Sequence, residues 1–348
     1  MKLWKLVAAL PGLGALAFAQ TPSPTPARAA VDALNSAELL QAVQLLKSNY
    51  VNPDAVNDVE IARATLQGLL ARLGAGAVLI ENSGTPQNVP PAPFYSELLA
   101  GHMGYLRCGD LTKENLAALD AALGAPGSKK PDAAIVDLRA SNAPGDFEIA
   151  AEFAKRFCAK GKPLFSLRKG MAKQERSFVS EREPLFTGIV VVLADGDTSG
   201  GAEALAAALR ANNKALVIGA PTAGRAVEYS DQKLSSGKSL RIASGEVLGP
   251  DGHSLFPGGV QPDLRVDQPL AEKREIFVQS RDKGMAPFIF EAERPHMNEA
   301  ALIAGRNPEV DAAEAAQRRG RGGEKALHDP VAQRAVDVVT SIGVYQKR

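Results

Sequence analysis

Apolar side chains recur at helical spacing in two stretches near the start of the chain, 36–46 and 58–73. This period is the main sequence signal for an amphipathic helix. Asn35 followed by Glu38 is typical of a capping box, which satisfies two backbone N–H groups at a helix N-terminus. The pattern predicts a helical hairpin, and we interpret residues 32–100 as this hairpin followed by an irregular connection.

From residue 101 onwards, short apolar runs alternate with amphipathic segments. The runs that predict strands are 103–107, 133–138, 189–193 and 215–219, and the segments that predict helices are 112–124, 147–159 and 201–211. Apolar strands without a polar face, separated by helices, are typical of a mostly parallel sheet that is covered on both sides. We therefore expect an α/β fold, with further strands and turns in residues 238–266.

Residues 268–348 are more polar, and we interpret them as a tail. Arg318-Arg319-Gly320-Arg321-Gly322-Gly323 has the composition of a solvated linker, with a basic contact patch as the alternative. Apolar residues at helical spacing between 331 and 342 predict that the tail ends in a helix.

The first residues indicate export. Lys2 and Lys5 precede an apolar run that ends at Ala17-Phe18-Ala19, the arrangement of a signal peptide with a small-residue cleavage site. The run is too short to span a bilayer. We expect a signal peptide over 1–19, a Pro-rich linker over 20–31, and a secreted or periplasmic mature chain without a transmembrane span.

Charge and metal-ligand residues argue against several classes of function. The 40 Lys and Arg balance 39 Asp and Glu, without the basic excess typical of nucleic-acid binding. The four histidines are scattered and neither cysteine has a metal-ligand spacing, so we expect no metal and no other cofactor. An oxidising compartment favours a disulfide between Cys108 and Cys158. The alternative, which the sequence supports equally, is that both cysteines are unpaired and buried as small apolar side chains.

Five motifs follow one another through residues 101–267. They are Gly104-Tyr105-Leu106-Arg107, Ile135-Val136-Asp137-Leu138-Arg139, Asp197-Thr198-Ser199-Gly200-Gly201-Ala202-Glu203, Thr222-Ala223-Gly224-Arg225 and Gly259-Val260-Gln261-Pro262-Asp263. In this order and spacing they resemble the C-terminal processing (tail-specific) serine peptidases. The resemblance implies a ClpP/crotonase-like spiral core of α/β class, here over 101–267, with an N-terminal helical hairpin and a C-terminal helical tail.

The resemblance also implies a serine nucleophile at the start of a helix, where free N–H groups and the helix dipole stabilise an oxyanion. The base of the family is a lysine that desolvation keeps neutral, oriented by a glutamine. Counted from the matching motifs, these three positions are Gly200, Arg225 and Tyr229. Glycine has no hydroxyl and a guanidinium does not deprotonate in proteins. The sequence therefore lacks both the nucleophile and the base at the expected places.

The oxyanion region departs from the family pattern as well. Asn142-Ala143-Pro144-Gly145 stands where the family has Asn-Pro-Gly-Gly, and Pro144 has no N–H to donate. Gly201 remains at the start of the helix. Departures at four positions of one pocket predict a pseudoenzyme, a serine-type peptidase fold without proteolysis.

Ser199, one residue before the family nucleophile position, is the alternative nucleophile, and it would make the chain an active serine endopeptidase. We favour instead that Thr198 or Ser199 caps the following helix. Lys214 is expected at a solvated helix end. His102 or His253 would serve as a base only where the fold brings one of them to the pocket.

The stretch 74–100 is too short for the PDZ domain with which family members capture substrate C-termini. In this respect the chain is similar to the retinoid-binding relatives of the family. The expected ligand is a peptide or protein C-terminus, or a small apolar molecule. A structural envelope protein is the remaining alternative: an open pocket beside Gly200 favours ligand binding, and a filled one favours the structural role.

Overall fold

The computed structural model describes residues 30–81, 90–124, 131–143, 145–170, 174–290 and 327–346. Contacts divide the chain into two compact units, Met1–Arg72 and Leu73–Arg348. The expected signal peptide and the run 318–323 lie outside the described residues. Among the residues described, no helix is long and apolar enough to cross a membrane.

The N-terminal unit contains helix α1 (Ser36–Asn49), a 3-10 turn (Pro53–Val56) and helix α2 (Asp58–Leu73). The capping box of α1 is present, because Asn35 Oδ1 accepts hydrogen bonds from two N–H groups of the first turn. The N–H of Asn35 in return donates to the Glu38 carboxylate at 2.8 Å. Both predicted N-terminal helices are confirmed. Neither of them buries a side chain.

The C-terminal unit is a mixed α/β fold, which confirms the expected class. Its strands are β1 (Ala77–Ile80), β2 (Tyr95–Leu99), β3 (Met103–Arg107), β4 (Ala133–Asp137), β5 (Asn142–Ala143), β6 (Pro163–Lys169), β7 (Gln174–Val179), β8 (Ile189–Ala194), β9 (Ser199–Gly200), β10 (Leu216–Gly219), β11 (Val227–Lys233), β12 (Ser239–Leu248) and β13 (Leu264–Arg265). Its helices are α3 (Lys113–Gly124), α4 (Phe147–Ala154), α5 (Gly201–Asn213), α6 (Leu270–Lys283), α7 (Ala286–Ile289) and α8 (Pro330–Gln346).

The larger sheet has the strand order β13-β10-β8-β4-β3-β2. Neighbouring strands are parallel except for β2, which runs antiparallel to β3. Every residue of β3 and β4 is buried, including the charged residues Arg107 and Asp137 at their carboxyl ends. Strands β1 and β2 lie within the segment 32–100, in which no strand was predicted. The sequence did not reveal β2 because half-exposed Tyr, Ser and Glu residues interrupt its apolar character.

The second sheet is antiparallel and is built on the long strand β12. One edge of β12 pairs with β11, whereas the other edge pairs with β1 and then with β6, which is followed by β7. A separate two-residue pairing joins β5 to β9, with Asn142 opposite Ser199 and Ala143 opposite Gly200. This pairing places the family's oxyanion region beside its nucleophile position.

Helices cover both faces of the larger sheet. One core cluster contains α4 and α5, and the other contains residues of α6, α7 and α8. Residues after 267, interpreted from the sequence as a polar tail, therefore include helices that complete the core. Helix α6 was not recognised as a core helix because Lys273 and Ser280 are two of its three buried residues.

The Asp-Leu-Arg motif at the end of β4 forms a buried ionic network. Arg139 is 1% exposed, and its guanidinium donates two hydrogen bonds of 2.9 Å to Asp329 and bonds of 2.7 and 3.0 Å to Asp137. The Tyr105 hydroxyl donates to Asp137 at 2.6 Å. Asp329 also accepts from the N–H of Ala332 in the first turn of α8. The motif therefore fixes α8 to the carboxyl end of the sheet.

Both cysteines are buried and neither forms a disulfide. The Cys158 thiol lies 3.4 Å from Asn213 Oδ1 at the end of α5, whereas Cys108 directly follows β3. Burial raises the pKa of Cys158 to about 12 and raises that of Cys108 as well. Of the two interpretations drawn from the sequence, the structure has the buried apolar thiols and not the disulfide.

Candidate active site

The residue at the family nucleophile position lies on a sharp turn between a strand and a helix. Gly200 ends β9 and is the N-cap of α5, with φ +63° and ψ −122°. A side chain on an L-residue is strained at such a positive φ, so glycine fits this position without that cost. The α/β-hydrolases place their nucleophile on a strained strand-to-helix turn of this kind. Here the turn is present and the hydroxyl is absent.

The helix cap differs from the expected one. Thr198 Oγ1 donates to the Leu138 carbonyl at 2.9 Å and accepts from Asp195 N–H, so it closes the turn before the helix. Ser199 Oγ donates to Asn142. Neither residue caps α5, because the helix begins later, after Gly200. The prediction of a Thr198 or Ser199 cap is therefore wrong.

Glu203 holds the two halves of the site together. Its side chain is fully buried in the first turn of α5, where Oε2 accepts from Gly200 N–H at 3.0 Å and Arg225 N–H at 2.7 Å. Oε1 accepts from Thr222 Oγ1 at 2.5 Å and Gly224 N–H at 2.7 Å. Burial raises the pKa of Glu203, and these four hydrogen bonds oppose that rise. In the sequence, Glu203 served only as a reference for counting to Gly200, although Glu three residues after a helix cap is a known capping signal.

The residue at the family base position, Arg225, has an exposed and unpaired guanidinium. Arg225 is exposed, and its guanidinium makes no hydrogen bond or ion pair with any described residue. Its turn is tightly constrained: Gly224 has φ +62°, and a Cβ there would lie 1.9 Å from the Pro257 carbonyl oxygen. The backbone thus places Arg225 beside the nucleophile turn. A guanidinium there attracts anions and cannot accept a proton from a hydroxyl.

Tyr229 occupies the position of the family glutamine. Its hydroxyl donates to the Ala75 carbonyl at 2.9 Å, which ties β11 to the residues before β1. Burial raises the pKa of Tyr229, so the phenol stays neutral. On the neighbouring strand, the Arg241 guanidinium lies 5.9 Å from the Tyr229 ring centroid and is paired with Asp231 at 2.8 Å. Tyr229 supports the wall of the site and orients no base.

Ser199 has no base beside it among the described residues. Its side chain is 6% exposed, and Oγ donates to the Asn142 amide oxygen at 2.7 Å. An amide is not a proton acceptor at ordinary pH. Lys214 is exposed at the far end of α5, and neither His102 nor His253 lines the cavity at this site. The hydroxyl is therefore close to the site but not activated.

The oxyanion region is only partly described. Asn142 lies beside Ser199, whereas Pro144 is outside the described residues. Gly145 is exposed with φ +85° and does not line the cavity. Gly201 is buried as the first residue of α5.

An open cavity of about 420 Å³ lies beside Gly200. Its lining residues are Ala75, Val78, Ile80, Asn142, Ser199, Gly200, Arg225, Tyr229 and Arg241. Apolar side chains of β1 form one wall, and two guanidinium groups stand at another part of the lining. The arrangement suits a ligand with an apolar part and an anionic group.

Residues 102–266 match the model of peptidase family S41. Carboxyl-terminal-processing peptidase 1, chloroplastic, of Arabidopsis thaliana is 28% identical over 131 residues, which are 38% of this chain and 27% of the relative. A Staphylococcus aureus (strain N315) protein named Probable CtpA-like serine protease is 32% identical over 149 residues, 42% of this chain and 30% of that protein. The chain thus matches less than a third of the length of either relative.

Among solved structures, a candidate peptidase of Parabacteroides merdae has a TM-score of 0.50 at 15% identity, over 84% of this chain and 92% of the other. At this identity the likeness shows the fold alone. Residues 102–266 are thus similar to peptidase family S41, and C-terminal processing peptidases are among the proteins that this segment resembles.

Proposed function

We propose that this chain is an exported S41-family protein whose pocket binds a ligand and does not hydrolyse peptide bonds. The observation that carries the proposal is Gly200, which stands on the strand–turn–helix where the family has its nucleophile. Glu203 holds this turn and the Arg225 turn in one arrangement, so the scaffold of the site is retained while its reactive groups are replaced.

The loss of the nucleophile and the base lowers the rate of hydrolysis by more than the remaining scaffold can restore. Removing the nucleophile or its base from a serine peptidase lowers turnover by about 10⁴- to 10⁶-fold. The remaining rate depends on an intact oxyanion hole. With glycine as the nucleophile residue and arginine as the base residue, the pocket has no group to attack a carbonyl and none to take up the proton.

The cavity supports a binding role over a purely structural one. A cavity of about 420 Å³ is open beside Gly200, where a structural protein would be expected to fill the space. A peptide C-terminus or a small apolar acid fits its chemistry. The carboxylate would pair with the unpaired Arg225 guanidinium, and the apolar part would contact Val78 and Ile80.

We expect no labelling of the natural protein by a fluorophosphonate probe above the level of a Ser199→Ala variant. The reason is that Ser199 Oγ donates to an amide and has no base. Ser244→Ala, at an exposed serine away from the cavity, is the matched control. Labelling and cleavage of an unstructured substrate that Ser199→Ala removes and Ser244→Ala retains would establish the second candidate function, a serine endopeptidase that uses Ser199.

Binding is expected to depend on a free carboxylate. In fluorescence anisotropy, a labelled Ala-rich peptide with a free C-terminus should bind at least about tenfold more tightly than its C-terminal amide, since a charge-assisted contact is lost. Arg225→Met should remove this preference. Arg241→Met is the matched control, because it removes the same charge from the same cavity. Its guanidinium is already paired with Asp231, so this variant should weaken binding of the free-acid peptide less than Arg225→Met does. Equal binding of acid and amide would contradict the role of Arg225.

Export is part of the proposal and rests on the residues before Gln20. The charged start, the short apolar run and Ala17-Phe18-Ala19 support cleavage after Ala19. Intact-mass measurement of protein from a secreting host should give a chain that begins at Gln20. A species that retains residues 1–19 would argue against it.

A further inference from the structure

Arg107 differs from the other buried cations of the described residues because it has no carboxylate partner. Arg139 pairs with aspartates at 2.7 and 2.9 Å, Arg156 with Asp120 at 2.7 Å, and Lys273 with Asp195 at 2.5 Å. Arg107 is 4% exposed, and its guanidinium donates one described hydrogen bond, to Ser280 Oγ at 3.1 Å. Its cross-strand neighbour Asp137 gives its carboxylate to Arg139 and Tyr105 and makes no ion pair with Arg107, so the remaining N–H groups of this buried cation can bind an anion.

The guanidinium lies over the faces of two aromatic rings. Its central carbon lies 4.7 Å from the Tyr95 ring centroid and 4.3 Å from that of Phe277. Tyr95 is the cross-strand neighbour of Arg107 in the pairing of β2 with β3, so the backbone sets one of these contacts. The rings attract the cation through their faces, but they accept none of the in-plane N–H groups. Those N–H groups remain available to a hydrogen-bond acceptor that lies in the plane of the guanidinium.

A cavity of about 220 Å³ opens beside this group. Its other lining residues are Ala92, Pro93, Phe94, Ala140, Val278 and Arg281. It shares no residue with the cavity beside Gly200. Its volume is about half that of the cavity beside Gly200. The space thus suits a small molecule and not a peptide.

We propose that this cavity binds a small planar carboxylate with an aromatic or branched apolar body. A carboxylate matches the guanidinium fork with two parallel hydrogen bonds. The walls formed by Pro93, Phe94 and Val278 suit an apolar body and give a strongly hydrated phosphate dianion few contacts. The second guanidinium, that of Arg281, is exposed at the cavity and adds positive potential there.

The test is isothermal titration of the full chain with benzoate, with benzamide as the neutral probe of the same shape and inorganic phosphate as the other anion. We expect saturable binding of benzoate, and binding of benzamide and phosphate at least about tenfold weaker, a factor that corresponds to about 1.4 kcal/mol. Arg107→Met should weaken benzoate at least about tenfold. Arg225→Met removes the unpaired guanidinium of the other cavity, which would also accept a small apolar acid, so the benzoate binding that depends on Arg107 is the binding that this variant retains.

Several results would overturn the proposal. They are an absence of benzoate binding, equal binding of benzamide, tighter binding of phosphate, or a loss of benzoate binding in Arg225→Met and not in Arg107→Met. Circular dichroism establishes first that Arg107→Met is folded. Should it not fold, Arg281→Gln decides, because this side chain is exposed and its change leaves the core intact. In that variant benzoate should bind several-fold more weakly, and unchanged binding would refute the site.

Discussion

Arg139→Met is expected to destabilise the C-terminal unit by about 3–5 kcal/mol, the cost of breaking a buried ion pair by removing one partner. The variant leaves the carboxylates of Asp137 and Asp329, both fully buried, without their common cation. It also weakens the attachment of α8, because Asp329 precedes this helix. The measurement is urea unfolding followed by near-ultraviolet circular dichroism.

Arg156→Met is the matched control for this variant, since it removes the same charge from another buried arginine. Its partners Asp120 and Glu152 have side chains that are 36% and 40% exposed, so water can solvate them when the arginine is lost. We expect a clearly smaller loss of unfolding free energy than for Arg139→Met. Equal losses in the two variants would contradict the argument that burial of the partners sets the cost.

The pH dependence of the same network gives a second readout. Burial alone raises the pKa of Asp137, but the charge and hydrogen bonds of Arg139, with the Tyr105 hydroxyl, lower it below its ordinary value. A carboxyl whose pKa is lower in the folded state stabilises the fold above its unfolded pKa of about 3.9 and loses this contribution as the pH falls below it. The natural protein should therefore lose stability below about pH 4, and Arg139→Met should lack the share that Asp137 contributes.

The buried strands were predictable because their residues are apolar on both faces. Runs such as Ile189–Ala194 cannot be anything but interior, and the parallel order follows from the helices between them. Helix α6 was not predictable in this way. Its buried face contains Lys273, whose ammonium is matched by Asp195 and Asp197 from a distant loop. A one-dimensional hydrophobic pattern does not reveal a buried cation whose partners lie elsewhere in the chain.

In the candidate site, too, some features could be predicted from the sequence and others could not. Counting from the motifs placed Gly200, Arg225 and Tyr229, and the structure brings all three to one cavity. What counting did not reveal is how the turns are held, because that depends on backbone dihedral angles and on the direction of side chains. The positive φ of Gly200 moves the helix cap past Ser199, and Glu203 replaces the expected hydroxyl cap.

Glu203→Gln is expected to lower the free energy of unfolding by about 2–3 kcal/mol, because buried donors are left without acceptors. The carboxylate accepts from three backbone N–H groups and from the Thr222 hydroxyl. A glutamine has one acceptor oxygen, and its NH₂ group must face two of these donors. The shape of the side chain is kept, so the change isolates hydrogen bonding from packing.

The same substitution should also alter the cavity, because Glu203 is what joins the Gly200 turn to the Arg225 turn. We expect Glu203→Gln to weaken binding of the free-acid peptide although the carboxyl is buried and does not line the cavity. Glu148→Gln is the matched control, since this exposed glutamate pairs with the exposed Arg176 and its loss should cost less than about 1 kcal/mol. Glu203→Gln could instead unfold at the same urea concentration as Glu148→Gln and bind the peptide as the natural protein does. That result would mean that the two turns are held by their backbones alone and that Glu203 does not organise the site.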